Sequence, residues 1–404
     1  MNHEGVHNLV EELAAHKFEK VVVDESTILK SFKGVNPRLT GGKFGQALMR
    51  IAEHANYRVI MSGTPAPNGV QDLWGQFKFL DPAGVLLEPE YRDFRAMYMK
   101  QIHFGNPDDP KTPSTWVPRS GSDREVANIV RDYIYRVRLR DHLMDLPPIT
   151  ISVRSAKMGP TQAKAYDEME TSFATTLDDE TIAVGMQLAA ISKLRQITGG
   201  FVLDANEVPH VLPDGPKLGL LDSLLEDEIR KDEKVVIFAQ YQWEIKELAS
   251  RYKDHGVVTV YGGNHSNVNI NNIERFLKDQ SIRLIILHPR SAAHGVTLTN
   301  AHYLIFYSSS YSAEEDYQSI KRIERAGQKN AMFVYYLHCD DTIDGIMHDV
   351  IHAKSKGQAC MIDEGGRNSK DVEEIWARLR EKLRRRKYSK SRAKGGLENG
   401  VQQG

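Results

Sequence analysis

Cysteine is nearly absent: two in 404 residues, Cys339 and Cys360, both isolated. A disulfide framework and a four-cysteine zinc site are thereby excluded, and a reducing cytoplasm is the default expectation. No apolar run reaches the 18 or so residues that a membrane span needs, so no membrane partner is expected. The first residues, MNHEGVHNLVEEL, lack the basic and apolar regions of a signal peptide. Net charge is also missing, at −1 overall, within an ordinary balance of 41% hydrophobic and 26% charged residues. Disorder throughout and collagen-like structure are excluded. No internal repeat is present.

The neutral total conceals an asymmetry. Residues 378–394 read RLREKLRRRKYSKSRAK, with Glu381 the one acidic residue, and the body is left at about −10. Lys and Arg in such a tail, Arg384, Arg385, Arg386 and Lys387 among them, suit sequence-independent phosphate contacts. A solvated terminus has the same composition. The segment 131–140, RDYIYRVRLR, alternates strictly and puts Arg136, Arg138 and Arg140 on one face, a second candidate DNA contact.

Apolar runs alternate with helical patterns over 216–350. KVVIFAQ, VVTVYGG, RLIILHP, HYLIFYSS and AMFVYYL read as strands buried on both faces, which predicts a parallel sheet with ligand loops at the strands' carboxyl ends. EKVVVDE and YRVIMSGTP are two more buried strands near the start, too few for a complete lobe. The chain divides on this reading into 1–84, a partial first lobe; 85–157, a loop-rich connection; 158–215, helical; 216–355, a second lobe; and 356–404, a basic, partly disordered tail.

Chemistry concentrates at strand ends. Asp24 and Glu25 end the first strand, where one carboxylate can hold Mg²⁺ and the other can orient an attacking water. The same pair also suits a plain capping turn. Ser62 and Thr64 follow the second strand in SGTP and offer hydroxyls to the acidic loop or to a DNA phosphate, or simply make a turn. HGVTLT carries Gly295, Thr297 and Thr299, the last two offering hydroxyls to phosphate. QSIKRIERAGQ carries Gln318, Arg322, Arg325 and Gln328. Helical spacing would place 318, 322 and 325 on one face and aim two permanent cations one way.

In order and spacing these motifs resemble the superfamily-two helicase-like ATPases of the Swi/Snf type, with phage-encoded DEAD-like helicases closest in style. DEST resembles that family's motif two and SGTP its motif three. FAQY resembles motif four, HGVTLT motif five and the Gln318–Gln328 segment motif six. The resemblance implies an α/β fold of two RecA-like lobes with parallel sheets, the first incomplete here, with ATP between them and duplex DNA across both. It implies Mg²⁺ at Asp24, water activation by Glu25 and arginine-finger roles for Arg322 and Arg325. It also implies ATP–DNA coupling through Ser62, Thr64, Gly295, Thr297, Gln318 and Gln328. The activity implied is ATP-dependent helicase or translocase action on duplex DNA.

One departure is large. The phosphate-cradling Gly-x-x-x-x-Gly-Lys-Ser/Thr of that family is missing: Gly42–Lys43 is followed by Phe44, and Pro37 stands where the first glycine belongs. The expectation is a chain that begins midway through lobe one, its phosphate loop supplied by a separate polypeptide. The alternative is an ATPase-dead DNA-binding or scaffolding protein.

Overall fold

A computed structural model describes residues 3–32, 42–63, 65–66, 69–103, 114–135, 137, 146–177, 184–293, 296–310 and 313–349. Thr64, Arg136, Arg138, Arg140, Gly295, Arg384, Arg385, Arg386 and Lys387 lie outside the described residues. The chain forms two compact units, which divide between Arg136 and Val137.

In the first unit, β1 (Lys20–Val23) pairs in parallel with β2 (Tyr57–Ile60), Lys20 opposite Tyr57 and Val23 opposite Ile60. Valine-rich sequence makes these strands, but their side chains alternate between two unlike faces. Val23 packs inward with Leu29, Leu48, Ala52 and Phe79. The other face is open: Val22, Tyr57, Val59 and Met61 are 37–61% exposed. The reading of both strands as wholly buried is thus corrected to burial on one face, because this sheet has two strands and one covering layer.

Helix Gln71–Leu80 supplies much of that layer. Its Trp74 and Phe77 also enter a second cluster with Phe32, Leu87, Phe94, Tyr98 and Val130. The loop-rich stretch after residue 84 therefore packs into the first unit. It includes helix Tyr91–Tyr98, the antiparallel pair β3 (Met99–His103) and β4 (Ser114–Pro118), and helix Ser122–Val130.

Helix Gln71–Leu80 lies tight against the turn that follows the acidic pair. A Cβ on Gly75 would stand 2.2 Å from the Leu29 carbonyl oxygen and 2.9 Å from that of Phe32. Backbone cannot yield as a flexible side chain would. Gly75→Ala is expected to cost about 3 kcal/mol through overpacking, read as a lower urea midpoint at unchanged slope.

The second unit is built on a six-stranded parallel sheet in the order β5–β12–β11–β8–β10–β9. Its strands are β5 (Ile149–Ala156), β8 (Val235–Phe238), β9 (Val257–Val260), β10 (Leu284–Leu287), β11 (Tyr303–Phe306) and β12 (Met332–Cys339). The short hairpin β6 (Phe201–Leu203) and β7 (Pro209–Val211) lies outside it. β8 and β10 are buried along their whole length, as their unbroken apolar runs require. Val235, Ile237, Leu284 and Ile286 face one core, with Ile245 and Leu248 of helix Gln242–Arg251. Val236, Phe238, Ile285 and Leu287 face the other, with Phe276 of helix Ser266–Lys278.

β5 extends the five strands expected. It pairs with β12 from Ile149–Met332 to Ala156–Cys339, although it falls before the helical segment and inside the stretch read as connection. Helices Pro160–Leu177 and Val184–Thr198 belong to this unit and share a core of Tyr166, Ile191, Leu194 and Ile197 with Ile343 and Met347. No helix among the described residues is long and apolar enough to cross a membrane.

Candidate nucleotide and DNA site

In the first unit, taken by itself, the candidate residues stand at the ends of β1 and β2. Asp24 and Glu25 follow the last β1 residue, and both are exposed. The Glu25 N–H donates to Asp24 Oδ1 at 2.9 Å. Glu25 itself takes φ +51°, a left-handed backbone uncommon for a residue with a side chain. The chain then turns into the short helix Ser26–Ser31. The corner is tied to β2 through the backbone: the Met61 N–H donates to the Val23 carbonyl at 2.8 Å, and the Ser26 N–H to the Met61 carbonyl at 2.9 Å. Ser62 follows, half-buried.

Asp24 fits a divalent cation of the Mg²⁺ kind, which is held through one or two carboxylates and completes its shell with water and phosphate oxygens, because its carboxylate is exposed at a strand end. Among the described residues there is no group of three or more His, Cys, Asp or Glu side chains set to hold a metal.

In the second unit, described separately, the candidate residues lie in the segments between its strands. After β8, the Gln240 N–H donates to Ser308 Oγ at 2.8 Å. Tyr241 precedes helix Gln242–Arg251, whose third residue, Glu244, reaches back so that Oε2 accepts the Tyr241 N–H at 3.2 Å. Ser308 Oγ donates to the same Oε2 at 2.6 Å. Glu244 is 1% exposed, and its Oε1 has no hydrogen-bond partner among the described residues. Burial raises the Glu244 carboxyl to about 7, against the pull of Ser308 and Lys217. A second buried acid, Asp316, is raised by burial to about 8. Between them Arg195, from helix Val184–Thr198, donates to the Ser309 carbonyl and lies over the Tyr241 ring. Glu244, Arg195 and Glu315 thus hold the loop 308–310 through Ser308 Oγ, the Ser309 carbonyl and Ser310 Oγ.

Helix Ala313–Ile320 follows that loop and carries Gln318 in its last turn. The single helical face expected for Gln318, Arg322 and Arg325 is corrected here. The helix stops at Ile320, and residues 321–327 run in turns. The tighter bonds Arg322 N–H to Ser319 O and Ile323 N–H to Ile320 O mix with two helical ones, Lys321 N–H to Tyr317 O and Glu324 N–H to Ile320 O, beyond which no helical bond continues. The Arg322 carbonyl instead accepts the Leu298 N–H at 2.8 Å, and Gly327 takes φ +97°.

The turns still bring the two motifs together. The half-buried Arg325 donates from Nη1 to Thr297 Oγ1 at 2.9 Å. Arg322 is 3% exposed. Thr297 is exposed and Thr299 half-buried. Gln328 is turned inward: Nε2 donates to the Ala301 carbonyl at 2.9 Å, and Oε1 accepts the N–H groups of Lys329 and Asn330. Its amide is engaged in shaping this loop.

Sequence reasoning passed over Gln76, Arg195, Glu244 and Asp316. The one available signal was a polar or charged residue on an otherwise apolar helix face, most visible for Gln76 in QDLWGQFKFL.

Residues 4–199 match the SNF2-related domain, and residues 216–327 match the helicase conserved C-terminal domain. Putative protein p41 of Acyrthosiphon pisum secondary endosymbiont phage 1 is 25% identical over 357 residues, 86% of this chain and 72% of that protein. The human TATA-binding protein-associated factor 172 is 26% identical, over 81% of this chain. The human DNA annealing helicase and endonuclease ZRANB3 is 24% identical, over 86% of this chain. The chain spans only 20% and 30% of those two human proteins. Among solved structures, the Sulfolobus solfataricus SWI2/SNF2 ATPase core in complex with dsDNA matches 93% of this chain and 75% of its own, at 21% identity and a TM-score of 0.47. Matching domains in the order of the five motifs make this chain a member of the superfamily-two helicase-like ATPases of the Swi/Snf type.

Proposed function

We propose that the chain acts in ATP-driven translocation on duplex DNA. In this reading Asp24 holds Mg²⁺, which when bound offsets charge on the phosphate oxygens, and Glu25 orients the attacking water. Arg322 and Arg325 stabilise charge on the γ-phosphate. Ser62, Thr64, Gly295, Thr297 and Gln318 link nucleotide to DNA, with Thr299 a phosphate contact. Gln328 supports that link through the loop it holds.

The observation that carries this reading is the Arg325–Thr297 hydrogen bond, which joins a candidate finger and a candidate DNA-coupling hydroxyl at the ends of one parallel sheet. Basic residues 136, 138, 140 and 384–387 add phosphate contacts on an acidic body. One observation favours the second reading, a DNA-binding or scaffolding protein without turnover: no Gly-x-x-x-x-Gly-Lys-Ser/Thr stands in these 404 residues. On the first reading the phosphate loop comes from another segment, a separate polypeptide being one source.

Two measurements separate them. Duplex binding, followed by fluorescence anisotropy across a salt series, is expected without base preference. Deleting 378–404 should flatten its salt slope by about one unit for each DNA phosphate that the tail neutralises. ATP turnover of the chain alone is expected to be low. Turnover that rises with duplex DNA and a supplied phosphate-loop segment, and that Glu25→Gln abolishes, supports the translocase. Duplex binding with no turnover under any such condition supports the scaffold.

A further inference from the structure

Gln76 is fully buried at 0% exposure, on the face of helix Gln71–Leu80 that packs under the acidic corner. Its amide makes three hydrogen bonds. Oε1 accepts from Ser26 Oγ at 2.8 Å. Nε2 donates to the Pro65 carbonyl at 2.5 Å and to the Asp72 carbonyl at 2.8 Å. Two of the partners are carbonyls, which only accept, so the amide has one allowed orientation. Ser26 directly follows Asp24–Glu25, and Pro65 closes SGTP. The side chain therefore spans the two loops at the carboxyl ends of β1 and β2. The backbone bonds through Met61 reach only the end of β2. Among the described residues, Gln76 makes one link onward to Pro65.

The corner it supports is a constrained one. Glu25 holds a left-handed backbone, which persists only where surrounding contacts over-determine it. Those contacts include buried Ser26, at 1% exposure, and the close approach of Gly75 to Leu29. A rigid corner passes on a displacement that a loose one absorbs.

We infer that Gln76 is a positioning residue that makes the acidic corner and the SGTP loop one mechanical unit. It touches neither metal nor nucleotide. A shift of the Asp24–Glu25 corner would pass through Ser26 and Gln76 to the backbone at Pro65. This rests on the reading of Asp24, in the acidic corner, as the cation ligand. The bland alternative is that Gln76 only fills a buried slot and stabilises the helix.

The test uses the full chain, with Mn²⁺ alone as the probe and backbone hydrogen exchange as the readout. In the unaltered chain Mn²⁺ is expected to slow exchange in both 20–32 and 62–66. Ser26→Ala cuts only the link between Gln76 and the corner and keeps the Pro65 and Asp72 bonds. In it, Mn²⁺ protection is expected in 20–32 and absent in 62–66. Gln76→Leu should do the same and also speed metal-free exchange of 62–66 by about tenfold. Combining the two should add nothing to that acceleration. Mn²⁺ protection of 62–66 that survives in both single variants would overturn the inference. If Mn²⁺ protects neither segment of the unaltered chain, the cation-site reading fails. The metal-free comparison then decides alone, and additive effects of the two substitutions would reject the coupling. Should Gln76→Leu not fold, Gln76→Met, which keeps length and removes the amide, takes its place.

Discussion

Arg325→Ala is expected to lower DNA-stimulated ATP turnover on the order of 10³-fold while leaving the melting temperature of the second unit almost unchanged. Arg325 is the cleaner of the two arginines to test. Arg322 is 3% exposed, so its removal would damage folding together with any chemistry. Arg325 is half-buried and donates to the exposed Thr297 hydroxyl, a contact worth little to stability at a wet surface. A large kinetic loss without a thermal loss therefore reports on charge at the γ-phosphate. Arg325→Lys should not restore the rate, because a point charge on a flexible stem lacks the planar fork. Turnover is measured with a phosphate-loop segment supplied if the chain alone is silent. A melting temperature that drops sharply beside an unchanged rate would make Arg325 a structural residue of the loop.

The parallel sheet of the second unit was legible because buried strands have nothing polar to alternate with. VVIF and LIIL are central and buried along their length, and both read as strands at once. β5 was not legible for the opposite reason. It lies at the sheet edge, where Thr150, Ile151, Val153 and Ser155 are exposed, and its pairing with β12 spans well over a hundred residues of sequence. Local pattern does not reveal that partner. The same limit applied to β1 and β2. Apolar side chains suggested burial on both faces, but one face stays open, and only tertiary structure decides which face is covered.

The placement of the candidate residues was less legible than their identity. Asp24, Glu25, Thr297 and Arg325 were singled out from residue type, spacing and the family resemblance. Helical spacing over 318–325 was the natural inference from QSIKRIER, yet the helix ends at Ile320. A long-range bond, from the Leu298 N–H to the Arg322 carbonyl, competes there with the helix's own hydrogen bonds. Gln328 resembled a coupling residue and is engaged with backbone groups. Gln76 and Glu244 were passed over because their partners lie far along the chain: Ser26 for one, Ser308 for the other.

Glu244 supplies the second large effect. Unfolding stability is expected to fall by about 3 kcal/mol as pH rises from about 4.5 to about 7, and Glu244→Gln should remove that share of the fall. The sign follows from the direction of the shift. Burial raises the folded-state carboxyl from 4.5 to about 7, so in that window the folded chain keeps a proton that the unfolded chain has released. Stability from this group is complete below the unfolded value, declines through the window and is level above it. Glutamine copies the neutral acid. Its oxygen can still accept from the Tyr241 N–H and Ser308 Oγ, while no ionisation remains. The charged neighbours are Lys217, paired with Asp344 at 2.8 Å, and Arg195. Both favour the ionised acid, and burial outweighs them. Asp316, raised to about 8, adds a decline of the same sign in both proteins, so the comparison rests on the difference between them. Urea midpoints at pH 5 and pH 7.5 give that difference. Equal losses in the two proteins would mean that Glu244 is ionised in the folded chain, its charge held by Lys217 and Arg195 in spite of its burial.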